Sequence, residues 1–229
     1  MIKLNSNERI EDLEYKGLKI IQSRDSYRFS VDSILLANFI RVKNYEKVID
    51  LGTGSGIIPL LLYDRKKGLS IYGIEIQEQL ANMAKRSVEL NKLQNHITII
   101  QEDLKNIKKI FRNSQFDVVI SNPPYISLGD GKISPLSSKA IARHEIKCDI
   151  EDIISTSNYL LKNKGRIYLI YKSIKLIKVI VTLKKYDIQP KSIKFIHSCP
   201  DEQANLVLLE GMKGGKEELK IEPPLFLKK

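Results

Sequence analysis

The chain is short of cysteine, of long apolar runs and of the breaks that separate domains. Its two cysteines, Cys148 and Cys199, stand far apart. Neither a disulfide framework nor a zinc site with paired cysteine spacing can be built from them, as expected of a protein kept in a reducing cytoplasm. The opening MIKLNSNERIEDLEYKG is too charged for a secretory leader, and no apolar stretch approaches the roughly 20 residues a membrane helix needs, so no membrane partner is expected. Internal repeats, low-complexity tracts and Pro/Gly-rich linkers are also missing. At 229 residues the chain is therefore expected to form one domain around its own core. An N-terminal extension covers 1–45, the sheet core 46–213, and a loosely held tail 214–229.

What is present in excess is positive charge: 38 Lys+Arg against 27 Asp+Glu, a net +11, of which residues 151–229 carry +6. Cations set against phosphates release condensed counterions, so such a balance suits a polyanionic partner, although a lysine-rich compositional bias gives the same count. Lys172, Lys175 and Lys178, with Lys191, Lys194 and Lys213, are the expected phosphate contacts.

From Lys47 onward, short apolar runs alternate with helical periodicity. Strands are expected at Lys47–Leu51, Ser70–Glu75, Ile97–Gln101, Phe116–Ser121 and Arg166–Tyr171, with helices over Val31–Arg41, Ile57–Tyr63, Glu78–Asn91, Ile150–Leu161 and Ser173–Lys185. The last two strands, Lys191–His197 and Asn205–Glu210, are joined by a loop too short for a crossover helix and should be antiparallel. The fold class is α/β: a doubly wound, mostly parallel seven-stranded sheet with an antiparallel C-terminal strand.

One end of that sheet carries a glycine-rich turn, Asp50-Leu51-Gly52-Thr53-Gly54-Ser55-Gly56, between a strand and a helix. Glycines there let the backbone turn sharply and approach a ligand closely. The third glycine follows after one residue, not two, which departs from the dinucleotide fingerprint, and Asp50 offers a carboxylate to an ammonium where that fingerprint leaves room for pyrophosphate. Glu75 ends the second strand and can accept from a ribose diol; Asp103 follows the third and can accept from an adenine amine. A lone carboxylate at a strand end is usually a helix cap. Three at successive strand ends beside one glycine turn indicate a nucleoside site.

The fourth strand runs into Ser121-Asn122-Pro123-Pro124-Tyr125. Two prolines stop the ladder, because neither donates an N–H. The corner also suits one chemistry. A planar amine conjugated to a ring or carbonyl is a poor nucleophile, since its lone pair is delocalised. Two acceptors aimed at its hydrogens, the Asn122 side-chain oxygen and the Pro123 carbonyl, favour a pyramidal nitrogen with its lone pair directed at an electrophile. Pro124 stiffens the corner and Tyr125 offers a face to a planar base.

Together these residues resemble the class I S-adenosylmethionine-dependent methyltransferases and, within them, the bacterial tRNA1(Val) adenine-37 N6-methyltransferase family. The resemblance covers nearly the whole chain. It rests on Tyr27-Arg28-Phe29-Ser30-Val31-Asp32 followed by SILLANF, on DLGTGSG, on the strand ending in Glu75, and on NPPY. Ala142-Arg143-His144-Glu145 and the closing Glu210-Gly211-Met212-Lys213-Gly214-Gly215 extend it. It implies that Arg28, Phe29 and Asp32 belong to a segment folded over the methionyl end of S-adenosyl-L-methionine. It also implies that Asp50, Gly52, Gly54 and Gly56 surround the methionine moiety, that Glu75 takes the ribose and Asp103 the adenine, and that Asn122–Tyr125 hold the target base. Position 30 is Ser where the family has Thr. The implied product is N6-methyladenosine beside the anticodon of a valine tRNA, with no metal required.

Other readings share parts of this pattern. Protein glutamine N5-methyltransferases also resemble the chain through NPPY, because a glutamine amide presents the same planar amine, yet they carry a longer helical substrate domain before the first strand. A non-catalytic RNA-binding module on the same fold would have no need of the intact DLGTGSG–Glu75–NPPY set, and a nicotinamide dehydrogenase would space its glycines differently. Arg143-His144-Glu145 reads as a solvated charge trio or a substrate loop, Gly129–Ser138 as a loop able to close over an inserted base, and His197 as a packing residue.

Overall fold

The computed structural model describes residues 3–24, 31–123 and 149–228. Arg28, Phe29, Pro124 and Tyr125 lie outside the described residues, as do Ser30, Gly129–Ser138 and Arg143–Glu145. The described chain begins with a hairpin of β1 (Glu8–Asp12) and β2 (Lys19–Ser23), then α1 (Val31–Phe39), β3 (Lys47–Leu51), α2 (Ile57–Leu62), β4 (Ser70–Glu75), α3 (Glu78–Leu90) and β5 (Ile97–Gln101). A short 3-10 turn leads into α4 (Ile107–Ile110), β6 (Phe116–Ser121), α5 (Ile150–Leu160), β7 (Leu161–Lys172), α6 (Leu176–Lys185), β8 (Ile188–His197) and β9 (Ala204–Lys213). Two short strands, β10 (Lys220–Ile221) and β11 (Leu225–Phe226), end it.

The main sheet runs in the order β10-β8-β9-β7-β6-β3-β4-β5, with β11 also on β8. Strands β3 to β7 are mutually parallel, and β9 is antiparallel to both β7 and β8. This is the expected doubly wound sheet with its antiparallel C-terminal strand, but it has nine strands among the described residues where seven are expected, because the short β10 and β11 add to β8. Alternate residues of the central strands feed two cores: Val48, Val118 and Ile120 face α1, α2 and α3, whereas Ile49, Leu51 and Val119 face α5 and α6. Both faces being covered explains why these strands read as continuous Val/Ile runs.

The chain winds from β3 outward through β4 and β5, then returns to β6 on the other side of β3. The β3/β6 boundary is therefore the topological switch point, and the crevice at the strands' C-terminal ends is where such sheets take ligands.

Three differences from the sequence reading have physical causes. Strand β8 begins at Ile188, before Pro190, because the proline falls at a register shift where no ladder N–H is required. The tail is not loose. Strands β10 and β11 add to β8 on either side of Pro223 and Pro224, and Glu222 between them accepts from Ser192 Oγ (2.9 Å) and pairs with Arg41 (2.5 Å) and Lys194 (3.4 Å). The hairpin is hard to foresee because β1, Glu-Arg-Ile-Glu-Asp, has no apolar alternation; Ile20 and Ile21 of β2 are fully buried, and polar contacts with α3 add to them. Ile21 N donates to Ser87 Oγ (2.9 Å), and Arg86 on α3 grips both oxygens of the buried Glu8 at 2.6 and 2.5 Å.

Arg86, reinforced by the backbone N–H of Asn5 and opposed by burial, holds the Glu8 carboxyl down at about 2 from an ordinary 4.5. The sign follows: this contribution is fully present above about pH 4.5 and is lost as pH falls through about 2. We expect Glu8→Gln to lower unfolding stability by on the order of 2 kcal/mol at neutral pH and to flatten the pH slope in that window. Urea unfolding at several pH values checks this, and an unchanged slope would place the hairpin's support elsewhere.

Among the described residues, no helix is long and apolar enough to cross a membrane. No group of three or more His, Cys, Asp or Glu among them could hold a metal.

Candidate active site

Strand β3 ends at Leu51, and the backbone then enters the left-handed region at Gly52 (φ 77°) and Gly54 (φ 58°). Any other L residue would be strained there, and a Cβ at either position would meet none of the described residues within 4 Å. Gly56 is left-handed too (φ 83°) and is also limited by packing: its Cβ would stand 3.1 Å from the Ala84 Cβ on α3. The turn is tied to β4 by bonds from Gly52 N and Thr53 N to the Ile74 carbonyl, both 2.9 Å, and from Gly54 N to Glu75 Oε2 at 2.9 Å.

Asp50 sits beneath this turn. The alternation of β3 aims its side chain toward the α1–α3 face, where it is 1 % exposed and neither carboxylate oxygen has a hydrogen-bond partner among the described residues. Burial pushes its carboxyl up to about 7; the nearby Thr53 hydroxyl opposes this without reaching hydrogen-bond geometry, and the negative charge of Glu75 adds to it. A buried carboxylate with no partner is expensive unless something cationic completes it. An ammonium group meets that need.

Glu75 is buried at the end of β4, its second oxygen accepting from Gln77 N at 2.9 Å. It braces the glycine turn from one oxygen and the start of α3 from the other. Asp103 takes the capping role that a lone strand-end carboxylate usually has: Oδ1 accepts from Lys105 N (2.9 Å) and caps the 3-10 turn Leu104–Asn106. That bond fixes the carboxylate two residues past β5.

The acceptor corner lies on the neighbouring strand. Val48, Ile49 and Asp50 of β3 pair with Val118, Val119 and Ile120 of β6, so the two strands leave the sheet side by side. Ser121 Oγ, fully buried, donates to the Leu51 carbonyl at 2.8 Å and bolts the start of the corner to the start of the glycine turn. Asn122 is half-buried, and its Nδ2 donates to Ser33 Oγ on α1 at 3.0 Å; Pro123 is buried. Ser33 and Ser121 went unrecognised in the sequence. A serine in an apolar stretch carries no signal of its partner.

Of the expected phosphate contacts, Lys213 is corrected. Its Nζ donates to the carbonyls of Asn158 (2.5 Å) and Leu161 (3.0 Å), where it closes the C-terminal end of α5. Lys191 and Lys194 lie near Glu218 and Glu222 at 3.4 Å each. His197 packs on the Phe226 ring, with Nδ1 2.8 Å from the Glu202 carbonyl, as a packing residue would.

The profile of the methyltransferase small domain family matches residues 26–186. A protein of Aeromonas hydrophila named tRNA1(Val) (adenine(37)-N6)-methyltransferase is 25% identical over 201 residues, covering 87% of this chain and 83% of its own. A Bacteroides thetaiotaomicron protein of the same name is 28% identical over 155 residues, covering 66% and 62%. Among solved structures, a predicted O-methyltransferase of Agrobacterium tumefaciens superposes with a TM-score of 0.68 at 23% identity, covering 86% of this chain and 87% of its own.

Proposed function

We propose, for a chain that belongs to the methyltransferase small domain family, that it transfers a methyl group from S-adenosylmethionine to the N6 amine of an adenine in tRNA, with adenine 37 of a valine tRNA as acceptor. One observation carries the chemistry: the Asn122–Pro123 corner is bolted to a glycine turn that overlies a buried carboxylate with no hydrogen-bond partner among the described residues. The names of the relatives in Aeromonas and Bacteroides support the acceptor, as does the net +6 of residues 151–229.

The buried Asp50 fits an amino acid ammonium, Gly52 and Gly54 bring no side chain to the turn, and Glu75 can accept from a ribose diol. Asp103 is left to accept from the adenine amine of the cofactor. When bound, S-adenosylmethionine supplies a sulfonium-activated methyl group. The chain's own part is orientation. Asn122 Oδ1 and the Pro123 carbonyl accept from the target amine's hydrogens and turn its lone pair out of the ring's conjugation. No strong base is needed, because a neutral amine attacks and sheds its proton afterwards.

The test is incubation with labelled cofactor, total tRNA and a glutamine-bearing release-factor peptide, followed by nucleoside analysis. Label is expected in N6-methyladenosine from valine tRNA; label in the peptide amide instead would transfer the assignment to the glutamine enzymes. Binding of tRNA is also expected to weaken steeply with salt, with a log–log slope of roughly −3 to −5 for about five phosphate contacts, and a flat dependence would remove the lysines from the reading.

A further inference from the structure

We propose that Ser33 is a positioning residue that holds the side-chain amide of Asn122 in place for the acceptor amine. This rests on the reading of Asn122 as the group that grips that amine. An asparagine amide is nearly symmetric in shape and opposite in chemistry at its two ends: Oδ1 accepts and Nδ2 donates. Turned over, it would present a donor to an amine that is itself a donor, and the corner would repel its target. The backbone leaves little other freedom, because the residue before a proline is confined to extended conformations and Pro123 is buried. What remains to be fixed is the side-chain torsion.

Ser33 supplies that constraint across 89 residues of sequence. Its hydroxyl oxygen accepts from Asn122 Nδ2 at 3.0 Å, which ties the amide to α1 and fixes its torsion. The support is rigid: Ser33 is 8 % exposed in the first turn of α1, and the same helix buries Leu36, Ala37 and Phe39 in the core. A hydrogen bond from a packed helix to an active-site side chain holds it near the productive geometry, and small misplacements there lower rates by up to about a hundredfold. The bond also joins α1 to the acceptor corner, so the helix that follows residues 25–30 and the group that holds the base are set as one unit.

The experiment compares Ser33→Thr with Ser33→Val, which match in shape and differ in the hydroxyl, alongside Ser33→Ala. Whichever acceptor the unmodified protein methylates, tRNA or peptide, is used for all. Ser33→Ala and Ser33→Val are expected to lower kcat by roughly 10- to 100-fold, with cofactor Kd, acceptor KM and Tm nearly unchanged. Ser33→Thr is expected to keep kcat within about threefold of the unmodified protein. Equal kcat for the Thr and Val variants would overturn the proposal while leaving the reading of Asn122 intact. A parallel loss of cofactor affinity in the Ala variant would also overturn it, by making Ser33 a part of the cofactor site. If the unmodified protein methylates neither acceptor, the reading of Asn122 falls and this proposal with it.

Discussion

Replacing Asn122 by alanine is expected to lower kcat by about 10²- to 10³-fold while cofactor affinity stays within about twofold, the scale seen when one preorganised polar group is removed from a reacting centre. The physical ground is the location of the side chain. Asn122 follows the last residue of β6 and its nitrogen is bonded to Ser33 on α1, whereas Ser121 carries the tie to the glycine turn through the Leu51 carbonyl. Truncation therefore removes an acceptor for the target amine and leaves Asp50, Glu75 and the turn as they are. Asn122→Asp keeps an acceptor for the target amine but removes the amide's donor, so any bond to Ser33 must run from the serine hydroxyl to the carboxylate. It is expected to fall between the alanine variant and the unmodified protein. Isothermal titration with cofactor and single-turnover methyl transfer give the two readouts. Turnover unchanged in Asn122→Ala would sink the role assigned to the corner. Cofactor binding lost in step with turnover would make Asn122 a part of the fold.

The inner strands were legible because both their faces are buried, and the edge strand β5 because Ile97 and Ile99 are buried while Thr98 between them is exposed. Lys47–Leu51, Ser70–Glu75, Ile97–Gln101 and Phe116–Ser121 coincide with β3 to β6 residue for residue. The switch point follows from that order, so the nearness of the glycine turn to Asn122 was readable in outline before any distance was known. Elements held by anything other than apolar alternation were harder. Strand β1 depends on Arg86 reaching Glu8 over 78 residues, and β10 and β11 are two residues each, interrupted by Pro223 and Pro224 and anchored by Glu222. The positions flagged in the site are polar residues at strand ends and glycines with positive φ, features that local spacing reveals. Its unflagged supports, Ser33 and Ser121, act through single long-range hydrogen bonds. Lys213 illustrates the converse error. A cation on a terminal strand looks solvated in sequence, but here its ammonium closes the end of a helix.

Asp50→Asn is expected to make the protein more stable and unable to hold its cofactor. The carboxyl is raised by burial from 3.8 to about 7, so the folded chain binds a proton that the unfolded chain has released. The sign is opposite to that of Glu8: stability is lost as pH rises through the interval between those two values, and the loss is complete above about 7, on the order of 3–4 kcal/mol. An asparagine cannot ionise, so it escapes that loss; the gain is smaller than the whole because a buried amide without partners carries a penalty of about 1–3 kcal/mol. Binding should respond in the other direction. An ammonium needs the ionised carboxylate, so affinity of the unmodified protein is expected to weaken about tenfold per unit as pH falls below about 7. The asparagine variant should bind at least roughly thirtyfold more weakly at neutral pH, with little pH dependence. Calorimetry and thermal unfolding across that range provide both curves. Cofactor bound as tightly by the variant would remove Asp50 from the site. A variant that stands firmer yet binds nothing would identify a carboxylate that the fold keeps buried, against its own stability, for a cation that arrives later.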